Sequence, residues 1–343
     1  MKRTDRPTRR RAASLLLALG LTAASLPAAA QEASKDAGKE GAFPARPITL
    51  VVPFPAGGPS DALARAVAHG LAETLKGTVV VENIAGAGGT IGLGKVAAAA
   101  PDGYTLGFGT IGTHIANVAL YKTLPYDPAT SFVPIGLAGT APMLVVVNPA
   151  LGVSDLKGLK ARIAAKGAKT TYGSAGIGSI SHFACVILLA AMKEPATHVP
   201  YRGIAPAMND LVGGHIDFMC DQPTTALAQV TSGKVKAVAV LSDDTVPQLP
   251  GLQTVAQAGY PQVSFRSWSA IFAPKGTPPA LAARLNAALR ETLTDPALRA
   301  KMQAVGVDLP QGDDLAPAAV SKLIADGVAR DVPALKALGA ALD

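Results

Sequence analysis

Ile48-Thr-Leu-Val-Val-Pro-Phe-Pro-Ala-Gly-Gly-Pro-Ser-Asp61 decides the fold of this chain. Five residues rich in β-branched and aliphatic side chains read as a strand. They run into a Gly/Pro loop that opens directly onto an apolar helical pattern at Ala62, Leu63, Ala66 and Val67. A strand-to-helix turn of this kind aims unpaired backbone N–H groups at whatever lies in front of it. Gly57 and Gly58 let a ligand approach the backbone closely, and Ser60 is the expected N-cap. The positive end of the helix favours a carboxylate or phosphate.

The same junction returns downstream. Thr170-Thr-Tyr-Gly-Ser174 reads as a short strand, and Ala175-Gly-Ile-Gly-Ser-Ile-Ser-His182 leads into an apolar helix. Either loop alone is ordinary capping; two in one chain suggest two lobes facing one anion. Between and after them, β-branched runs alternate with helical patterns from Pro47 to Leu241, which predicts mostly parallel sheets flanked by helices. Ser264–Ala273 reads as extended, and helices over 278–293, 296–305 and 317–325 return to the first lobe.

Residues 1–30 have the pattern of a secretory signal: six Lys and Arg, an apolar run from Ala12 to Leu26, then Ala28-Ala29-Ala30. The run is too short to span a bilayer. Residues 31–43 read as a flexible leader. The whole chain of 343 residues carries a formal charge of +7, but most of that excess sits in the signal. A nearly neutral mature chain is a poor partner for nucleic acid. With 49% apolar residues, the remaining length is enough for two cores. The two cysteines, Cys185 and Cys220, each lie in an apolar run and read as buried thiols, although an exported chain could join them if their backbones lie within reach.

The chemistry-bearing patterns are weak for catalysis. Gly86-Ala-Gly-Gly-Thr-Ile-Gly92 has Ile91 where a dinucleotide fingerprint needs glycine. Tyr172-Gly-Ser-Ala-Gly176 has tyrosine where a nucleophile elbow needs glycine, and His182 follows too closely to serve Ser174 as a separately placed base. The five histidines make no metal-ligand spacing. Thr110, Thr113 and His114 follow a strand, where ligands sit at the C-terminal edge of a parallel sheet, and Tyr201-Arg202 and Asp221 follow two others.

Taken together, Val52-Pro-Phe-Pro-Ala-Gly-Gly-Pro-Ser-Asp61, Val81-Glu-Asn-Ile-Ala-Gly-Ala-Gly-Gly89, Pro101-Asp-Gly-Tyr-Thr105, Tyr172-Gly-Ser-Ala-Gly176 and Thr197-His-Val-Pro-Tyr-Arg-Gly203 closely resemble the Bug/TctC family. Leu211-Val-Gly-Gly-His-Ile-Asp217, Ser267-Trp268 and Phe272-Ala-Pro274 extend the match over nearly all of the chain beyond the leader. The resemblance implies a periplasmic solute receptor of tripartite tricarboxylate transporters with a two-lobed Venus-flytrap fold, lobe 1 being 44–140 with 262–343 and lobe 2 being 141–261. It implies a small carboxylate (di- or tricarboxylate, or acidic amino acid) held without cofactor, metal or catalysis by a monomer that serves permease subunits. Carried over residue by residue, the contacts are Ala56, Gly57, Gly58, Ser60, Asp61, Thr110, Thr113 and His114 in lobe 1. In lobe 2 they are Ser174, Gly178, Ser179, His182, Tyr201 and Asp221. Asp61 or Asp221 would suit a ligand ammonium. The chain departs from common family forms at Cys185-Val186 and at Met219-Cys220-Asp221-Gln222. The competing readings are an exported serine hydrolase with Ser174 or Ser179 as nucleophile, and a sensor that hands its loaded state to a signalling receptor.

Overall fold

The computed structural model describes residues 43–337. The expected signal and almost all of the leader lie outside the described residues. The first half of the chain forms β1 (Ile48–Val52), α1 (Pro59–Leu75), β2 (Val79–Asn83), α2 (Thr90–Ala97), β3 (Thr105–Thr110), α3 (Asn117–Leu120) and β4 (Phe132–Pro142). A second series follows as β5 (Leu144–Val147), α4 (Leu156–Lys166), β6 (Thr171–Ser174), α5 (Ile180–Met192), β7 (Thr197–Pro200), α6 (Ile204–Gly213), β8 (Phe218–Asp221), α7 (Pro223–Thr231) and β9 (Lys236–Val240). The chain closes with β10 (Arg266–Pro274), α8 (Pro279–Thr294), α9 (Pro296–Ala304) and α10 (Pro317–Ala337).

The strands make two five-stranded sheets, ordered β2-β1-β3-β10-β4 and β7-β6-β8-β5-β9. In each, four strands run one way and one is reversed: β10 is antiparallel to β3 and β4, and β5 is antiparallel to β8 and β9. The reversed strands are the two by which the chain enters each sheet from the other. Only Met143 separates β4 from β5. The return passes through Leu241 and Phe265, which lie beside it: Leu241 N–H donates to the Met143 carbonyl at 2.7 Å, and Phe265 N–H to the Leu241 carbonyl at 3.1 Å. The two crossings are thus hydrogen-bonded neighbours.

Helices cover both faces of each sheet, giving four apolar clusters. Helix α1 shows how the pattern is written. Leu63, Val67, Leu71 and Leu75 recur every fourth residue and are buried against the first sheet. Each such side chain contributes about 1.5–3 kcal/mol by leaving water. The helix begins earlier than the sequence implied, with Gly58 as N-cap and Pro59 in its first turn, so Ser60 is inside the helix and caps nothing. In the second loop Ser179 does cap α5, its Oγ accepting from His182 N–H at 3.3 Å and donating to the Gly176 carbonyl at 2.6 Å.

Helix α10 runs to Ala337, well past the expected end at residue 325. Gly327 is no stop signal here. A Cβ at that position would come within 2.1 Å of Ile115 Cδ1, so the glycine lets α10 lie directly on the segment after β3. Cys185 and Cys220 are wholly buried free thiols in one core cluster of the second sheet.

Candidate functional site

Strand β1 of the first sheet and the mutually parallel β6, β7 and β8 of the second end in turns that start helices α1, α5, α6 and α7, and these four helix starts meet around one cavity of about 100 Å³. Its wall takes Ala56, Gly58 and Ser60 from α1's approach, Ser179, Ile180 and Ser181 from α5, Gly203 to Pro206 from α6, and Asp221 and Gln222 from the turn into α7. Met143, the single residue between the sheets, is also on the wall. The first N–H groups of each helix have no intrahelical acceptor, and each helix start carries a partial positive charge. The result is a site attractive to a small anion from both sheets at once.

Contacts between the two sides flank the cavity. Gly58 faces Ile204, and Gly203, at φ +120°, faces Pro55, where a Cβ would come within 3.0 Å of the proline ring. A second cavity of about 550 Å³ adjoins, sharing Phe54, Pro55, Ala175, Arg202 and Gly203 with the first. There Gly88 approaches Ile177 so closely that a Cβ would come within 2.7 Å of its carbonyl oxygen, and Tyr121 Oη donates to the same carbonyl at 3.4 Å.

Of the residues expected to touch ligand, the structure brings Ala56, Gly58, Ser60, Ser179 and Asp221 to the main cavity and Tyr201 to the adjoining one. The others line neither, and each has a physical reason. Gly57 N–H and the Asp61 carboxylate bond each other at 2.9 Å; Asp61 also accepts from Arg65 Nε at 2.9 Å and from Asn83 Nδ2 at 2.9 Å. Burial pushes the Asp61 carboxyl up, but the Arg65, Gly57 and Asn83 hydrogen bonds outweigh it and hold the group below its usual range. Asp61 therefore shapes the loop and is not open to a ligand ammonium, and the Gly57 amide is already spent. Thr110, Thr113 and His114 form a closed buried turn: Thr113 Oγ1 accepts from Thr110 N–H at 2.9 Å and meets His114 Nδ1 at 2.9 Å, while the imidazole stacks on Phe272 at 4.1 Å. Burial lowers His114 to about 3, so the ring is neutral.

Ser174, Gly178 and His182 lie behind the second loop. Gly178 N–H points to His182 Nδ1 at 3.4 Å, and His182 stacks on His198 at 4.3 Å. Ser174 Oγ lies 2.7 Å from His198 Nε2 and accepts from Gly176 N–H at 3.1 Å. The sequence reading found no base for Ser174; the structure supplies His198. Yet Ser174 is wholly buried, and burial holds His198 at about 4. The pair is a neutral structural hydrogen bond with no exposed oxygen to attack a carbonyl. Tyr201 Oη donates to Asp210 at 2.6 Å, and burial together with that carboxylate raises the phenol to about 12.

What the sequence reading missed were the starts of α6 and α7. Gly203-Ile-Ala-Pro206 and Gln222-Pro223 carry the same signature as the two loops that were singled out, glycine or proline at the opening of a helix after a short strand. Attention to Arg202 and Asp221 as side chains hid the backbone next to them.

Residues 63–340 match the model of the tripartite tricarboxylate transporter family receptor. The periplasmic binding protein BugD is 39% identical with a TM-score of 0.83, covering 88% of this chain and 100% of that one. MatC from Rhodopseudomonas palustris, solved with bound malate, is 37% identical with a TM-score of 0.82 over 84% of this chain and 99% of its own. A second R. palustris protein, solved with adipate, is 32% identical with a TM-score of 0.83 over 88% and 100%. The two mixed sheets flanked by helices are the two-lobed fold of periplasmic binding proteins, and the chain belongs to the Bug/TctC family of tripartite tricarboxylate transporter receptors.

Proposed function

We propose that this protein is a periplasmic receptor that clasps a small dicarboxylate or related organic acid between its two lobes and delivers it to the permease subunits of a tripartite transporter. The observation that carries this reading is the meeting of four helix starts, two of them with glycine at the N-cap, around one small cavity. A carboxylate there accepts from backbone amides on both sides, and that contact is complete only when the lobes are together. Ligand then acts by shifting the population toward the closed form. The malate and adipate of the two R. palustris relatives fit the same chemistry.

The proposed lobes are the residues up to 142 with those from 266 onward, and 143–265, within a few residues of the expected bounds. The bend lies at the paired crossings by Met143 and by Leu241 and Phe265. The test is a thermal-shift and calorimetric screen of the chain from residue 31 onward against mono-, di- and tricarboxylates and acidic amino acids. A true ligand raises the melting temperature in a concentration-dependent way. Absence of a shift or heat with every acid in the panel would refute the reading.

A further inference from the structure

Among the described residues, Asp221 is the one acidic side chain on the wall of a cavity otherwise arranged to attract anions. It is 1% exposed; Oδ1 accepts from Gln222 N–H at 2.7 Å and Oδ2 from the Thr225 hydroxyl at 2.6 Å. Among the described residues, no Lys, Arg or His forms an ion pair with it. Burial pushes its carboxyl up to about 7, against the pull of Thr225 and Gln222.

The surroundings bring few other charges. Strand β5, paired to it through Leu144, and helix α7, which supplies Thr225, have no ionisable side chain. The Cys220 thiol precedes it in β8, and burial raises that thiol well above its ordinary value. Helix α5 adds the Cys185 thiol and His182, whose ring burial lowers to about 3. Arg202 shares the cavity wall and is exposed, and Asp61 of α1 is held by Arg65, Gly57 and Asn83. An ionised Asp221 beside a bound carboxylate would set two like charges together in a buried space.

Resting on the receptor reading above, we propose that Asp221 is the specificity-determining residue and acts in its protonated form, donating a hydrogen bond to one carboxylate of a dicarboxylate that carries no ammonium group. The neutral acid keeps acceptor capacity for Gln222 and Thr225 while its O–H turns to the ligand. Binding at neutral or higher pH then draws one proton from solvent. A ligand with an ammonium group in that place would require the ionised carboxylate and would release a proton instead. The sign of the linkage identifies the ligand class.

The experiment is calorimetric titration of malate and of aspartate, which share a four-carbon skeleton and differ in hydroxyl against ammonium, into the wild type and Asp221→Asn. It is run from pH 6 to 9 in two buffers of different ionisation enthalpy. Malate is fully ionised above pH 7, so protons taken up there belong to the protein. The expected result is that wild-type affinity for malate falls about tenfold per pH unit above about pH 7, with uptake approaching one proton. Asp221→Asn, which keeps a donor, should bind malate with less than about twofold change across the range and take up none. Its melting temperature verifies the fold. Malate affinity that is flat with pH in the wild type, or aspartate bound more tightly as pH rises, overturns the proposal and leaves the receptor standing. No binding of malate or adipate at any pH overturns the proposal, and no binding of any acid in the wider panel overturns the receptor reading as well.

Discussion

Asp61 and Asp221 sit close in sequence to the same cavity and have opposite fates. Asp61 has three donors, one of them a guanidinium, and its carboxyl is held low; at Asp221 burial outweighs its two neutral donors, Gln222 and Thr225, and the carboxyl is pushed up. Removing the first with Asp61→Ala leaves the Gly57 N–H, the Asn83 amide and the Arg65 guanidinium without their acceptor, and chemical denaturation should show a loss of about 1–3 kcal/mol. Because the folded state holds the group below its ordinary value of 3.8, its contribution is complete above that value and disappears as pH falls through the folded one. The histidines work in the same direction. His182 and His198 are held at about 3 and about 4, below the ordinary 6.5. The unfolded chain therefore takes up protons on these rings as pH drops below about 6.5 while the folded chain does not, and stability should fall over that window. His198→Gln should flatten the dependence of unfolding free energy on pH by up to about 1.4 kcal/mol per unit near pH 5, read from denaturation curves at pH 5 and 7. The turns that hold these residues were legible from glycines, prolines and strand patterns. Which groups face the cavity was not, since Asp61's partner Asn83 comes from the next strand and Ser174's partner His198 from a strand beyond a helix.

Individual elements were legible where periodicity was strong: β1 was read to the residue, and α1 and α5 were placed, although α1 starts earlier than expected. The reading failed where tertiary contact overrode a local signal. Gly327 and Pro333 predict an end to α10, yet the helix continues because its glycine is what lets it pack on Ile115. Gly327→Ala should therefore destabilise the protein by about 1–3 kcal/mol in spite of alanine's better helix propensity. Ile115→Val/Gly327→Ala should recover part of that loss in a double-mutant cycle. If the single variant is more stable than wild type, the close approach is not what fixes this glycine. The reversed strands β5 and β10 were the other blind spot. Strand direction is a property of pairing, and an extended run reads the same whichever way its neighbours point.

For the whole molecule, the contacts that flank the cavity separate closure from folding. On the proposed division Gly88 belongs to the first lobe and Ile177 to the second, and a methyl group at position 88 meets the Ile177 carbonyl, which is backbone and cannot step aside. Gly88→Ala should bind malate roughly tenfold or more weakly, because the closed state becomes a smaller fraction of the population. The cost of a left-handed alanine is about 1 kcal/mol, so each lobe stays folded. Small-angle scattering should find the variant more open than the wild type at saturating ligand. An equal radius of gyration in both would count against closure as the affected step.

The paired crossings carry one more implication. Arg266 at the start of β10 is in register with Pro142 at the end of β4, so these two strands are an antiparallel hairpin whose tip has been opened to admit more than a hundred residues. The second lobe hangs from that tip like a pendant on a loop of wire. Cutting it away and joining Pro142 to Arg266 through a two-residue Asn-Gly turn asks the first sheet for no new topology. The severed first lobe should fold as a self-standing α/β unit, and the junction becomes a socket into which the second lobe of a relative with different ligand preference can be seated.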